Sequence, residues 1–167
     1  MGENMKISCG IYLINSDNQL LIGHPTNHKS SVWAIPKGRM NEGETDYFEV
    51  AKRELIEETN IDINQFQIEK TKEFEMIRYK ETNKYLKGFF VKVNNDFKSH
   101  DIKCDSMVYR NGNPVFPEFD DFKWVSLEDA KSLLHPFQIA NLNRCQELLD
   151  LNEKVMKFNQ FRDNSIM

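Results

Sequence analysis

The sequence predicts an α+β protein, an α/β/α sandwich in which a mixed β-sheet lies between one helix and a set of C-terminal helices. Three observations predict this class. Short β-rich segments occur both before and after one strongly helical segment, and the end of the chain has helical periodicity. The 167 residues also contain neither an internal repeat nor a low-complexity segment, so we expect residues 1–167 to form a single domain.

The first half of the chain predicts a hairpin, a short strand and a helix. Residues 7–14 are apolar and β-rich, a polar turn follows, and an apolar run resumes at residues 19–23, which predicts a β-hairpin. Residues 31–37 predict a short strand that ends at Pro36. The first helix is predicted over residues 47–59.

The second half predicts further strands. Residues 66–79 and 84–93 are two long strand candidates separated by a polar tetrapeptide. Residues 94–114 are polar and contain Asn-Gly-Asn-Pro, which indicates a loop. The segment FKWVS, residues 122–126, predicts a last short strand.

Two helices are predicted at the end of the chain. Ser126 and Asp129 resemble a capping box and predict a short helix to about Leu134. Pro136 then interrupts the chain, and apolar residues at helical spacing over residues 137–158 predict a last helix.

Composition excludes several classes of protein. With 40% hydrophobic and 29% charged residues the chain is ordinary for a globular protein, and a net charge of −4 argues against broad, non-specific binding to nucleic acid. No apolar run approaches the ~18 residues of a membrane span, and the N-terminus lacks the features of a signal peptide. The three cysteines are far apart, which predicts reduced thiols and a cytoplasmic location. No stable protein partner can be inferred.

The residues that flank the first helix fix its bounds. Asp46 and Glu49 form a capping box that starts the helix at Tyr47. Asn60 suits the left-handed conformation that follows a helix end.

Three glutamates of this helix lie close together. Glu54, Glu57 and Glu58 fall on one face, where like charges repel each other by a few tenths of a kcal/mol per pair. One interpretation is a solvated acidic surface that Arg53 and solvent screen. The other is a site for a hard divalent cation such as Mg²⁺ or Mn²⁺, which prefers carboxylate oxygens as ligands.

The residues around the cluster favour the cation site. Gly38, Glu44 and the run Arg-Glu-Leu-Ile-Glu-Glu at residues 53–58 resemble the signature of the Nudix hydrolases, G-x5-E-x7-R-E-U-x-E-E-x-G-U with U apolar. Trp33 and Pro36 resemble the segment that precedes this signature in many members. The resemblance implies the Nudix-type α/β/α sandwich, with the first helix as the catalytic helix.

The sequence departs from the signature at two positions. Eight residues separate Glu44 from Arg53 where the signature has seven, and Asn60 replaces the final glycine. Because Asp46 keeps the family's usual cap spacing to Arg53, the extra residue falls in the loop before the helix. The role of Glu44 therefore stays open.

The resemblance implies hydrolysis of a nucleoside diphosphate linked to another group, with Mg²⁺ or Mn²⁺ as cofactor. Glu54, Glu57 and Glu58 would hold the metal and act in catalysis, and the Gly38 carbonyl would be a backbone ligand. Arg53 would orient the neighbouring carboxylates.

The segment PEFDDFKWVS, residues 117–126, is similar to a segment of bacterial RNA pyrophosphohydrolases, the Nudix enzymes that remove pyrophosphate from RNA 5′ ends. On this match Glu118 supplies an additional metal ligand or the catalytic base. Asp120 and Asp121 are the competing candidates, and a solvated acidic loop is the structural alternative.

Four further residues are predicted to bind substrate. Phe137 lies thirteen residues after Trp124, where those enzymes have a phenylalanine that stacks on a base; the alternative is a core residue under the last helix. Lys6 matches a basic phosphate contact. Lys37 and Arg39, on either side of Gly38, are candidate phosphate contacts.

Several functions stay open. We rank removal of pyrophosphate from RNA 5′ ends narrowly above hydrolysis of dinucleoside polyphosphates. The Pro-Lys-Gly form of residues 36–38 favours the second of these reactions. Free nucleotides such as dNTPs or ADP-ribose follow. A Nudix-fold module that binds nucleotide or RNA without cleaving it is the alternative of another class, but all three helix glutamates are present. The last alternative is an acidic-helix protein unrelated to the Nudix family, in which the matches at Gly38, Trp33 and Pro36 would be coincidental.

Overall fold

The computed structural model describes residues 4–166, so residues 1–3, part of the stretch in which no signal peptide is predicted, lie outside the described residues, as does 167. Within that range the elements follow in this order: β1 (Lys6–Ile14), β2 (Leu20–Pro25), β3 (Lys37–Arg39), α1 (Tyr47–Thr59), β4 (Ile68–Glu73), β5 (Ile77–Arg78), β6 (Lys84–Val93), β7 (Met107–Arg110), β8 (Asn113–Pro117), β9 (Phe119–Val125), α2 (Leu127–Ala130), α3 (Pro136–Ile139) and α4 (Leu142–Ile166). In this part of the chain no helix has both the length and the hydropathy needed to cross a membrane.

The main sheet is mixed, as predicted. Its strand order is β4-β6-β1-β2-β9, with β3 paired to β1 and β5 paired to β6. Strands β1 and β6 are parallel, whereas the other pairs are antiparallel. The predicted hairpin is confirmed: Asn15 accepts hydrogen bonds from the backbone of Asp17 and Gln19 in the turn between β1 and β2.

Helices cover both faces of this sheet. Successive side chains of a strand point to opposite faces, so Cys9, Ile11 and Leu13 of β1 pack with α1, while Tyr12 and Ile14 pack with α2 and α4. The predicted α/β/α sandwich is therefore confirmed.

The strand predicted over residues 31–37 is wrong in its bounds. The strand is β3, which begins after Pro36, because proline has no N–H to donate to a ladder. Trp33 and Ala34 form only isolated bridges. This shift places Lys37 and Gly38 within a strand that pairs with the centre of β1.

Two further strand predictions need correction. The candidate over residues 66–79 is divided into β4 and β5, because the pairing with β6 shifts by one residue between Glu73, opposite Phe89, and Ile77, opposite Leu86. Residues 94–114, predicted as a loop, contain β7 and the start of β8, joined by the turn residues Asn111 and Gly112 with φ of 52° and 78°. The predicted last strand is confirmed but begins earlier, as β9.

The C-terminal helices differ in their bounds from the prediction. Ser126 caps α2 as predicted, although regular helix ends at Ala130 and turns continue to Leu134. The helix predicted over residues 137–158 is two helices, α3 and α4, because residues 140–141 form a turn between them.

Candidate active site

The caps of helix α1 fix the direction of its glutamates. The Asp46 carboxylate accepts hydrogen bonds from the N–H groups of Phe48 and Glu49 at 3.0 and 3.2 Å, and Asn60 follows the helix with φ of 64°. The predicted cap positions and helix bounds are confirmed. The extra residue before Arg53 therefore lies in the loop, and the helix keeps its register.

Glu54 and Glu58 are the buried carboxylates of α1, at 7% and 2% exposure. The Lys37 N–H donates to Glu58 Oε2 at 2.9 Å. A Cβ atom on Gly38 would overlap the Glu54 carboxylate, so only glycine permits this approach of β3 to α1. Burial, and then neighbouring carboxylates, raise the pKa of Glu58 well above its usual value; burial likewise raises the pKa of Glu54 despite the opposing Arg53.

Arg53 links the helix glutamates to the preceding loop. Its guanidinium donates to both Glu44 oxygens at 2.9 and 2.8 Å, to Glu54 at 2.8 Å and to Glu57 at 3.1 Å. The bidentate bond to Glu44 raises the pKa of Arg53 and lowers that of Glu44. Glu44, whose role the sequence left open, thus holds the arginine that contacts the other two carboxylates.

Glu118 directly follows β8 and lies near the same carboxylates. Its negative charge adds to the raised pKa of Glu54 and of Glu58. The competing candidates turn elsewhere: Asp120 bonds to His24 at 2.6 Å, and Asp121 accepts from a backbone N–H.

The carboxylates fit a divalent cation by their chemistry. Among residues 4–166, no group of three or more His, Cys, Asp or Glu side chains is arranged to hold a metal ion. Arg53 instead forms ion pairs with Glu54 and Glu57. Even so, Glu54, Glu58 and Glu118 crowd like charges in a poorly solvated site and raise two pKa values, a set of oxygen donors that suits a hard cation.

One open cleft of about 760 Å³ contains every residue that the sequence predicted for the site. The predicted residues that line it are Lys6, Lys37, Gly38, Arg39, Arg53, Glu54, Glu57, Glu58, Glu118 and Phe137. Their individual roles stay predictions.

The cleft also contains residues that the sequence did not single out. Tyr79, Lys84 and Tyr85 line it together with Lys6. Lys84 is the register partner of Lys6 across parallel strands β1 and β6, and only that pairing brings the two cations together. Within residues 4–166, neither lysine forms an ion pair.

Phe137 lies in the short helix α3 and faces the cleft. Its ring packs edge-on against Tyr79 and against His135, with centroids 4.9 Å apart in each pair. The neighbouring residue, Gln138, is buried instead, and its Oε1 accepts from the Ile35 N–H at 3.0 Å. The hydrophobic core consists of two clusters of buried residues, one on each face of the main sheet. Phe137 is half-buried and belongs to neither core cluster, so its position fits the predicted substrate contact better than the core alternative.

Comparison with known sequences identifies the family. The family described as NUDIX domain matches residues 5–144. The RNA pyrophosphohydrolase of Pelagibacter ubique is 29% identical over 141 residues, covering 81% of this chain and 85% of that protein. The RNA pyrophosphohydrolase of Rickettsia bellii is 26% identical over 144 residues, with 77% and 80% covered.

Solved structures agree on the fold. A C. elegans Ap4A hydrolase binary complex superposes with a TM-score of 0.63 at 23% identity, covering 86% of this chain and 98% of that one. The MutT protein of Methanosarcina mazei gives 0.53 at 19% identity, with 88% and 96% covered. Proteins of this family act on nucleotides or RNA and generally need a divalent metal ion, usually Mg²⁺. The chain therefore belongs to the Nudix family and is a pyrophosphate hydrolase of that family.

Proposed function

We propose that this protein removes pyrophosphate from the 5′ ends of triphosphorylated RNA, with Mg²⁺ as cofactor and Mn²⁺ as a substitute. One observation carries the proposal: a single cleft is lined by carboxylates, lysines and aromatic rings. A 5′-terminal nucleotide has the matching parts, since its polyphosphate needs cations and its base needs a stacking surface.

The carboxylates of the cleft would hold the metal. Glu54, Glu57, Glu58 and Glu118, with the Gly38 carbonyl, are the oxygen donors for it. Bound divalent ions neutralise the charge of the diphosphate and lower the pKa of a bound water. Arg53 keeps two of these carboxylates oriented through its bonds to them.

The lysines and aromatic rings of the cleft would bind the nucleotide. Lys6, Lys84, Lys37 and Arg39 are the phosphate contacts. Phe137 presents the ring on which the first base stacks, an interaction of about 1–3 kcal/mol. Because His135 and Tyr79 pack against Phe137, the ring is held in place before substrate arrives.

The relatives favour RNA over small nucleotides. The two sequence relatives named RNA pyrophosphohydrolase match about four-fifths of this chain. Dinucleoside polyphosphate is the second candidate, favoured by Lys37 beside Gly38 and by the fold of an Ap4A hydrolase. Free nucleotides such as dNTPs and ADP-ribose rank below it. A non-catalytic binding module is disfavoured because the cleft keeps all three helix glutamates.

The location we propose is the cytoplasm. All three cysteines are free thiols, and thiols stay reduced in the cytoplasm. Burial raises the pKa of Cys9 to about 11 and raises those of Cys104 and Cys145, which keeps the thiols protonated.

A substrate panel tests the proposal. The full chain is assayed with Mg²⁺ and separately with Mn²⁺ on triphosphorylated RNA, dinucleoside tetraphosphate, ADP-ribose and dNTPs. We expect the highest kcat/KM on the RNA, with pyrophosphate as the product. Hydrolysis of small nucleotides without RNA hydrolysis would overturn the assignment.

A further inference from the structure

Strands β7 and β8 form a two-stranded ribbon, residues 107–117, that is separate from the main sheet. Asn111 and Gly112, both with positive φ, make the tight turn between the strands. A two-stranded hairpin by itself is only marginally stable in water. The ribbon therefore gains stability from any ligand that covers it.

The base of the ribbon is part of the cleft. Ser106, directly before the ribbon, and Glu118, directly after it, both line the cleft. The Glu118 N–H donates to the Ser106 carbonyl at 2.8 Å, and the Ser106 N–H donates to the carbonyl of Glu57 at 3.0 Å. The surface of the ribbon is thus continuous with the carboxylates of the proposed active site.

The ribbon carries exposed groups of the kinds on which nucleic acid bases can stack. Tyr109 is 63% exposed and Val115 is 47% exposed. The Arg110 guanidinium lies 5.5 Å from the centre of the Phe116 ring. Tyrosine rings and arginine guanidinium planes are the groups on which unpaired bases stack.

The charge of the ribbon differs from that of the chain. Residues 106–117 contain one arginine and neither aspartate nor glutamate, whereas the whole chain has a net charge of −4. The ribbon itself therefore does not repel a polyanion, although the chain as a whole is acidic.

We propose that the ribbon binds the single-stranded RNA that follows the 5′-terminal nucleotide. This inference rests on the proposed function, since it assigns the position of the remaining substrate once the 5′ end is in the cleft. Tyr109 and Arg110 are successive residues of β7 and lie on opposite faces of the ribbon, so the RNA stacks on one of them. Such stacking tolerates any base, so the contact extends the binding site without adding strong sequence preference.

The test compares RNA lengths in the full chain. The variant Tyr109→Ala/Arg110→Ala removes both stacking groups from exposed positions, and Arg162→Ala, an exposed arginine of α4, is the charge-matched control. Binding of a 5′-monophosphorylated octanucleotide with a 3′ fluorophore is measured by anisotropy. Pyrophosphate release is measured on a triphosphorylated octanucleotide and dinucleotide. Thermal unfolding verifies that each variant is folded.

We expect the double variant to weaken octanucleotide binding at least about 5-fold, which corresponds to about 1 kcal/mol, while kcat/KM on the dinucleotide stays within about 2-fold. Arg162→Ala should change neither value. Equal losses on both lengths, or unchanged octanucleotide binding, would overturn the inference.

The two proposals fail in different ways. If the wild type binds the octanucleotide through the ribbon but releases no pyrophosphate from it, the ribbon inference stands and the proposed function fails. If pyrophosphate is released from both lengths and the double variant behaves like wild type, the proposed function stands and the ribbon inference fails.

Discussion

Glu58 is the residue whose surroundings most strongly support the proposed cation site. Its carboxylate is almost fully buried and lies near those of Glu54 and Glu118, so ionisation is opposed by both desolvation and repulsion. The hydrogen bond from the Lys37 N–H opposes the rise in the Glu58 pKa, because it stabilises the ionised carboxylate. A carboxylate in such surroundings lowers the stability of the folded chain unless a ligand compensates, which supports a metal-binding role.

His24 gives a prediction about pH. Its Nδ1 lies 2.6 Å from Asp120 Oδ1 and its Nε2 lies 3.0 Å from the Lys29 carbonyl, two acceptors that favour the protonated ring. The bond to Asp120 is the main cause of its raised pKa. A raised histidine pKa stabilises the fold below its unfolded value of ~6.5, and this gain is lost as pH rises through the folded-state pKa.

We therefore expect His24→Gln to lower the thermal midpoint more at pH 5.5 than at pH 8.5. His28→Gln removes an exposed imidazole nearby and is the control. An NMR titration of the His24 ring should give a pKa above 6.5. A midpoint deficit that does not depend on pH would disprove the ion pair.

Phe137 gives a second prediction at this scale. Phe137→Ala should raise KM for triphosphorylated RNA at least about 5-fold by removing the stacking surface, with little change in kcat. The matched control, Phe161→Ala, removes a ring that is 73% exposed on α4 and should leave KM unchanged. An insoluble or unfolded Phe137→Ala protein would instead support the core interpretation.

Helix α1 is the element whose bounds matter most for the site. Replacing Asp46 by alanine removes the acceptor of two backbone N–H groups and should lower the free energy of unfolding by about 1 kcal/mol. Asp46→Asn keeps an acceptor and should lose clearly less. Urea denaturation of the three proteins measures the difference, and equal losses for both variants would show that the cap is not the cause.

Elements with local signals were predictable from the sequence. The caps Asp46 and Asn60 lie next to the helix that they end, so its bounds were predicted to the residue. The ribbon was missed because polar residues dominate 94–106, and the Asn-Gly turn signal, which does predict hairpins, was interpreted as part of a loop.

The candidate site likewise contains some residues that local sequence signals predict and others that they do not. The glutamates of α1 follow from helical spacing, whereas Lys84 joins the cleft only because β6 lies parallel to β1 in one register. That register depends on packing between segments nearly eighty residues apart, for which the local sequence carries no signal. Tyr79 could not be predicted from the sequence either. It directly follows β5, and its contact with Phe137 of α3 joins two segments that are distant in the sequence.

At the scale of the whole molecule, the sandwich brings distant segments to one cleft. Strands β1 and β3, helices α1 and α3, and the residue after β8 each contribute predicted site residues. Both core clusters include residues of β1, so the two layers are packed on a shared strand. We propose that residues 1–167 form a single domain.

The outer part of α4 gives a prediction at this scale. Leu149 is the last residue of the helix in the core, and residues 153–165 are exposed. A chain that ends at Asp150 should keep its activity, with a thermal midpoint within about 4 °C of the full chain. A larger loss would show that residues 151–166 stabilise the fold through contacts beyond the core clusters.

The turnover numbers of Glu57→Gln and Glu58→Gln test the claim that the glutamates of α1 hold the catalytic metal. At saturating Mg²⁺, on the substrate that the wild type hydrolyses fastest, Glu57→Gln and Glu58→Gln should each turn over at least about 100-fold more slowly. Both should remain folded, with a midpoint no lower than that of the wild type. Glu49→Gln, the same substitution at an exposed position of α1, should keep the wild-type rate. Wild-type turnover by both Glu57→Gln and Glu58→Gln would contradict the account.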